Sequence, residues 1–457
     1  MKQQYVNIKE WVELQWQNSD LGDLRRTKRV INLAINMLEK PEDSLPCQLE
    51  EWKDLKAAYR FLNSESVSHE KLQTEHWKNV LAEAKNSKKT VLFIQDTSEL
   101  DYSSKWSTKG IGPIGNHRGK GIMMHTTLAV SYNKDNPVVL GLAFQHTWVR
   151  SEISYKKTES RSQKSKRLTE ASLWEYSIKK IGTPQNPDWV SVGDRANDIY
   201  KFIRYCKNAH WNYLVRAQHN RKIMTESGQE VKLFDWARAL PAQAIKEMDV
   251  RSRNGQPAKK ILLNIAWGKM KILTPKNNFP KSENEQIEVW CLRCWEDEQN
   301  GLEWLLLTNF AIANKNDALE KIGWYETRWL IEEYHKCLKT GCAIEKRQLQ
   351  SVHGLLALLG LLGIIAAKIL EMKFLIRQHP NELASEHIPK LSLQIICARF
   401  KLSSQEITCS QFWSKVAAMG GFIGRKSDGD PGWQTLWKGW LRLLDMLIGA
   451  EAIQRCG

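Results

Sequence analysis

Tyr325, Arg328, Glu332 and Lys339 differ in chemistry yet share a spacing that aims them the same way. With Tyr325 at zero and about 100° per residue, the other three fall between about 300° and 340° on a helix, and Lys336 at about 20°. Leu330, Ile331, Tyr334, Leu338 and Trp324 take the other side, between about 140° and 260°. One face is therefore expected to be core, and the other to carry a phenol, a carboxylate and three cations. The plain account of such a stripe is a solvated face with an Arg328–Glu332 pair at i,i+4, worth a few tenths of a kcal/mol. A chemical account needs further acids that reach Glu332.

Two candidates stand upstream. The apolar run Thr90–Gln95 is of strand length and is ended by Asp96, and the strand Trp189–Gly193 is ended by Asp194. Acids at the carboxyl ends of strands sit in the crevice where α/β sheets place active sites. Either aspartate alone reads equally well as a strand-end cap or turn residue. Together with Glu332 they would bring three carboxylates to one point. In a basic protein this calls for a divalent cation, because like charges otherwise repel and raise a pKa. Mg²⁺ suits an all-oxygen ligand set. Two such ions about 3.5–4 Å apart would activate an attacking oxygen and stabilise the leaving one at a phosphodiester.

The composition fits a polyanionic partner. The 457 residues carry a net charge of +16, with a pI of 9.3, and each Lys or Arg that neutralises a phosphate releases a counterion. A merely basic soluble protein is the alternative on charge alone. The hydrophobic fraction of 42% is ordinary, and the length leaves room for two or three domains. Nine cysteines are an odd number and imply no disulfide framework, so a reducing cytoplasm fits. Cys291 and Cys294 form a lone C-x-x-C without further ligands at suitable spacing, so no zinc site is expected there. The first residues lack an apolar stretch and carry acids, unlike a signal peptide. The uncharged, Leu-rich run Ser351–Ala367 is short of the ~20 residues of a membrane span and is followed by Lys368. A buried core helix is expected, with no membrane partner.

Along the chain, residues 1–70 read as short helices. One runs Thr27–Leu38 and stops at Pro41; another, Glu50–Leu62, carries Lys53, Lys56 and Arg60. A small helical unit with basic faces would dock in a DNA groove; a plain helical cap on the next domain is the alternative. Three antiparallel strands are expected at Thr90–Gln95, Ile122–Tyr132 and Val138–Phe144. The Gly-rich loop Gly110–Gly121 between the first two lacks the Gly-Lys-Ser/Thr ending of a phosphate-binding loop. A basic loop, Lys156–Arg167, precedes a helix over Thr169–Ile181, the strand ending at Asp194, a helix over Asp198–Lys207 and a strand Tyr213–Arg216. From about 221 to 310 the pattern is β-rich, and beyond about 372 it is helical, with Trp433, Trp437 and Trp440 near the end.

This order of strands, helices and acids resembles the ribonuclease-H-like fold of DDE transposases and integrases. The interval from Asp194 to Glu332 is too long for the plain fold, and a β-rich insertion would account for it. Tyr325-x-x-Arg328-x-x-x-Glu332-x-x-x-x-x-x-Lys339 is similar to the Tyr-Arg-Glu-Lys signature of the insertion-sequence-four family of bacterial transposases, the family that includes the transposon-five transposase. Other segments agree in the same order: Leu21-Gly22-Asp23-Leu24-Arg25-Arg26-Thr27, Tyr59-Arg60-Phe61, Asp96-Thr97-Ser98, Gly193-Asp194-Arg195, Trp304–Thr308 and Gly420-Gly421-Phe422. The chain departs at Ala196-Asn197-Asp198, where the family often has Glu-Ala-Asp.

The resemblance implies an α/β, ribonuclease-H-like catalytic domain over residues 71–372, with its β-rich insertion at about 221–310. A helical N-terminal DNA-binding domain (1–70) and a helical C-terminal dimerisation domain (373–457) would flank it. It implies a Mg²⁺-dependent cut-and-paste transposase using two ions, with Mn²⁺ as a substitute. The enzyme would pair double-stranded transposon ends in a homodimer, cleave through a DNA hairpin and join 3′-hydroxyls to target DNA, in a bacterial cytoplasm at the nucleoid. Asp96, Asp194 and Glu332 would be the catalytic, metal-binding acids. Tyr325, Arg328 and Lys339 would hold the non-transferred strand through phosphates, with Lys336, Arg216, Arg25 and Arg26 as further DNA contacts. Trp304 would stack on a flipped base, its alternative being a core Trp. A DNA-binding inhibitor of transposition, or a same-fold nuclease without strand transfer, are the competing functions.

Overall fold

The computed structural model describes residues 8–105, 107–116, 118–134, 136–151, 168–185, 188–250, 259–275, 285–298, 301–375, 377, 379–425 and 428–456. The basic loop expected at Lys156–Arg167 lies outside them.

Helices α1 (Ile8–Trp16), α2 (Leu24–Glu39), α3 (Leu45–Gln48), α4 (Trp52–Leu62) and α5 (His69–Asn86) open the chain. Helix α2 starts three residues earlier than the apolar period suggests, because Gly22 turns the chain at φ +74° and Asp23 caps the helix by accepting from the Arg25 N–H. The left-handed backbone at Gly22 is where a side chain is strained, which accounts for a glycine in Leu21-Gly22-Asp23. Val30, Leu33, Ala34 and Met37 then bury one face of α2.

The centre is a twelve-stranded mixed sheet. Strands β1 (Val91–Asp101), β2 (Gly112–Ile114), β3 (Gly119–Ser131) and β4 (Val138–Trp148) come first. Strand β3 pairs antiparallel with β1, β2 and β4. Helix α6 (Leu173–Ile181) leads to β5 (Trp189–Gly193), and α7 (Tyr200–Asn208) leads to β6 (Asn212–Arg216). Both new strands run parallel to β1, in the order β1-β5-β6. The apolar residues of β1 alternate between two cores. Leu92 and Ile94 join Val190, Val192 and Leu214 on one face; Val91 and Phe93 join Trp189, Tyr213 and Val215 on the other. Burial on both faces is why these strands read as continuous apolar runs rather than alternating ones.

The β-rich stretch after residue 221 comprises β7 (Lys222–Thr225), β8 (Glu230–Lys232), helix α8 (Leu233–Ala239), β9 (Ala244–Val250), β10 (Lys259–Leu273), β11 (Gln286–Trp295) and β12 (Glu303–Thr308). It extends the same sheet rather than forming a separate one, because β12 pairs antiparallel with β6 and the order continues β12-β11-β10-β7-β8. Cys291 and Cys294 of β11 are buried in opposite cores of the sheet, so they face away from each other and share no metal.

The stripe-bearing segment is not one regular helix. Helix α9 (Lys315–Thr327) ends at Arg328, and α10 (Leu330–Lys336) begins after Trp329. The main chain stays helical but tightens, with i→i−3 bonds from Arg328, Ile331 and Glu332. It then loosens into a π-turn over Cys337–Gly341, where Cys342 donates to Cys337. The ideal 100° projection therefore fails beyond Trp329, although Trp324, Leu330, Ile331, Tyr334 and Leu338 are all buried as the period requires.

Helix α11 (Val352–Leu375) is the apolar run at 351–367 and its continuation. It is apolar enough to span a membrane by length and composition, yet 83% of its apolar window is buried inside the chain. It packs on α2, α4, α5, α10 and β4, and so ties the N-terminal helices to the sheet. Helices α12 (Ala384–His387), α13 (Lys390–Phe400), α14 (Cys409–Met419) and α15 (Trp433–Cys456) complete the chain. Trp433, Trp437 and Trp440 are buried within this unit, with Trp440 against Trp413 at 5.6 Å. Trp433 and Trp437 also line a cavity between the start of α15 and residues 39–43.

Helices α14 and α15 approach so closely that glycine is required on both. A Cβ on Gly439 would lie 1.7 Å from the Val416 carbonyl oxygen, and one on Gly420 1.9 Å from the Thr435 carbonyl oxygen. Both neighbours are backbone, so neither can rotate aside. Gly439→Ala is expected to destabilise this region by about 1–3 kcal/mol, read as a lower urea midpoint. An unchanged midpoint would show that the two helices do not cross this closely in solution.

Candidate active site and nucleic-acid interface

Asp96 does not end its strand. It lies in the middle of β1, opposite Thr126. What ends beside it is the parallel partner. Ile94 pairs with Val192, and the same offset carries Asp96 to Asp194, just past the last parallel pair. The two aspartates thus project beyond the carboxyl edge of β5 on one face, the face of Ile94 and Val192. Asp194 also caps the short turn Arg195–Asn197 by accepting the Ala196 N–H through Oδ1 at 2.9 Å. The cap reading and the catalytic reading therefore describe the same residue.

Helix α10 covers this face. Burial pushes the Asp96 pKa up to about 7, and the charges of Asp194 and Glu332 push the same way; a bond from the Thr97 N–H and the charge of Arg328 oppose them. Asp96 therefore lies within electrostatic reach of both other acids. The three acids do not collapse into a single tight cage: among the described residues, their ligand oxygens do not all come within 4.8 Å of each other. Glu332 is instead turned to Arg328, with Nη2 to Oε1 at 2.7 Å. Burial disfavours the Arg328 charge, but the hydrogen bond to Glu332 and the nearby Tyr325, Glu332 and Asp194 hold its pKa above the ordinary value. The carboxylate set is all oxygen, with two half-buried aspartates and an exposed glutamate, which fits a hard divalent cation.

His335 was not singled out from the sequence, although it follows Glu332 by one helical turn. Its Nδ1 stands 3.6 Å from Asp96 Oδ2, and its Nε2 is buried without a hydrogen-bond partner. Burial, with the charge of Lys339, lowers its pKa to about 3, so the ring is neutral and the contact is not an ion pair. Beneath Asp96, its two neighbours are fixed by His125. Thr97 Oγ1 lies 2.8 Å from His125 Nδ1, and Gln95 Oε1 lies 3.0 Å from His125 Nε2. Gln95 in turn donates to Ser191 on β5 at 2.8 Å. These polar bonds hold the register that aligns the two aspartates.

The remaining stripe residues form a connected row. Tyr325 is only 6% exposed, and its ring packs edge-on against half-buried Trp304 at 5.1 Å. The Arg328 guanidinium lies over the Tyr325 ring at 5.7 Å. Trp304 is thus partly a core residue with one side toward this row. Lys336 is exposed. Lys339, on the π-turn, is half-buried and lies 3.5 Å from Glu345, which also accepts the Asp101 N–H. Arg216 is half-buried and donates to the carbonyl of Glu303, the neighbour of Trp304, at 2.8 Å.

At the N-terminus, Arg25 is fully exposed and paired with Asp23 at 2.8 Å, while Arg26 folds back to the Leu21 carbonyl at 2.9 Å. An Arg29–Asp54 pair at 2.6 Å joins α2 to α4. Lys28, Lys53, Lys56 and Arg60 are exposed beside two outward apolar groups, Leu24 and Trp52.

Comparison with known proteins bears on this helical segment. Residues 8–67 match the family described as Transposase DNA-binding. Among solved structures, the chain is similar to one titled as the cryo-EM structure of the piggyBac transposase synaptic complex with hairpin DNA. That alignment has 8% identity and a TM-score of 0.34, and covers 89% of this chain and 76% of that one. So loose an alignment assigns no residue.

The raised pKa of Asp96 fixes the sign of a pH effect. Its folded value of about 7 exceeds an unfolded value of about 3.9. Its protonated form therefore supports the fold fully below about pH 4, and that support is lost as pH rises through about 7. Asp96→Asn is expected to stabilise the metal-free protein at pH 8 by on the order of 2 kcal/mol, with a gain that shrinks toward pH 4. Thermal melts in chelator across that range measure it. A gain independent of pH would mean that Asp96 is not held in this environment.

Proposed function

We propose that this protein is a cut-and-paste DNA transposase of the insertion-sequence-four type, with Asp96, Asp194 and Glu332 as its catalytic acids. The observation that carries the proposal is the register of β1 on β5. It sets Asp96 beside Asp194 on the face covered by the Glu332-bearing helix, close enough that both other acids raise the Asp96 pKa. The match of residues 8–67 to transposase DNA-binding sequences supports DNA as the substrate. Three antiparallel strands followed by two parallel ones reached through helices support a ribonuclease-H-like core.

The three acids would hold two Mg²⁺ ions, or Mn²⁺, which when bound activate the attacking oxygen and offset charge on the leaving one. An open arrangement suits a pair of ions about 3.5–4 Å apart better than one. In this scheme water nicks the transposon end, the freed 3′-hydroxyl attacks the opposite strand, and a hairpin closes the end. A second hydrolysis opens it, and the 3′-hydroxyl then attacks target DNA.

The protein's own side chains do the positioning. Arg328, Lys336 and Lys339 supply phosphate contacts near the acids, and Trp304 packs a base released from the hairpin, with Tyr325 as its backing. Stacking of this kind is worth about 1–3 kcal/mol per base. Arg328 has a second duty. While it holds Glu332 at 2.7 Å, one oxygen of the glutamate is engaged by the guanidinium rather than by a metal. A strand phosphate that takes over the guanidinium frees Glu332 to face the aspartates, so the catalytic set closes when DNA is in place. Arg25 and its neighbours on α2 and α4 bind the end sequence.

Glu332→Gln keeps the shape but removes the charge. It is expected to abolish strand cleavage in Mg²⁺ while end binding stays within about twofold of the wild type. Gel assays on DNA carrying the element's own ends measure both, and normal cleavage would overturn the assignment. Lys339→Ala is expected to weaken end binding and to lower the slope of log affinity against log salt by about one. An unchanged slope with an unchanged hairpin yield would return Lys339 to its ion pair with Glu345.

A further inference from the structure

The segment from the loop after α11 to the end of α12 gathers three side chains of metal-ligating type. His379, Glu382 and His387 place their ligand atoms within 4.8 Å of one another. His379 Nδ1 is 2.9 Å from Glu382 Oε1, and His387 Nε2 is 2.5 Å from Glu382 Oε2. The two imidazoles stack at 4.2 Å with planes 15° apart, so both present a ring nitrogen to the two oxygens of one carboxylate.

We propose that His379, Glu382 and His387 form a zinc site that clips the loop after α11 to the end of α12. Two imidazoles and a carboxylate are a donor set that zinc accepts, with water in the fourth position. Zinc bonds of about 2.0–2.1 Å at tetrahedral angles separate ligand atoms by about 3.3 Å. Zinc lies in the plane of each imidazole it binds, so the two stacked rings must turn out of parallel as the spacing widens, which three partly exposed side chains have room to do. Imidazole ligands favour zinc over Mg²⁺, so this site and the carboxylate site of the sheet select different ions.

The backbone is already set for such a clip. The Glu382 carbonyl accepts the Cys409 N–H, the Pro380 carbonyl accepts the Ser410 N–H, and Ala384 donates to Ile407. Arg377 pairs with Asp430 at 2.8 Å, which ties the same loop to the segment before α15. His379 itself lies in left-handed backbone, at φ 51°.

The test uses the full chain, stripped with a chelator and titrated with Zn²⁺ by calorimetry in millimolar Mg²⁺, which occupies hard-ligand sites. One zinc per chain is expected. It should be lost in the double variant His379→Ala, His387→Ala, and be at least about tenfold weaker in Glu382→Gln. Co²⁺ bound to the wild type provides a readout that needs no variant: a tetrahedral visible spectrum without thiolate charge transfer is expected. The proposal is overturned if the stripped wild type takes up no zinc, if the double variant binds it as well as the wild type, or if the cobalt spectrum shows thiolate ligands.

Discussion

The parallel pairing of β1 with β5 is the constraint on which the rest of this molecule turns. Because Ile94 meets Val192, Asp96 meets Asp194, and a slip of one residue would send one aspartate to the opposite face. The register is secured on two levels. Apolar residues of both strands are buried on both faces, and the Gln95–Ser191 bond crosses the pair next to the aspartates. A sheet covered on both sides can afford a buried carboxyl group only with a compensating partner. The raised pKa of Asp96 is the physical sign that this compensation is incomplete in the protein alone.

The second element of the site is a helix with deliberate irregularities. The tightening at Arg328–Trp329 and the π-turn at Cys337–Gly341 break the 3.6-residue period on either side of α10. Lys339 consequently swings toward Glu345 and Asp101 instead of stacking above Glu332. Glu332 and His335 remain one turn apart on the regular part, over the aspartates. Irregular turns of this kind are common at functional sites, and here they separate the acid from the cation along one segment.

Much of this was legible in the sequence, and the failures have identifiable causes. The strand Trp189–Gly193 and the buried run after Ser351 follow directly from composition and length. Asp96 and Asp194 stand out in the sequence because each follows an apolar run, although either alone reads equally well as a cap or turn residue. The end of β1 was misplaced because Asp96 breaks the apolar run without breaking the ladder, which the antiparallel partner β3 carries on to Asp101. The stripe projected as one straight helix because a period cannot show a change of pitch. His335 went unnoticed since a histidine among apolar neighbours looks like core, which by burial it is. The β-rich stretch looked like an independent insertion, since strand pairing between β12 and β6 leaves no local mark.

The N-terminal helices, the sheet and the signature segment meet on the apolar helix α11, which fixes their relative positions by burial rather than by charge. The most direct test of the account is anomalous diffraction from the DNA-bound protein crystallised with Mn²⁺. Manganese is expected between Asp96 and Asp194, with Glu332 released from Arg328 and turned onto it. Manganese absent from the aspartates, with Glu332 still held by Arg328 while DNA is bound, would contradict it.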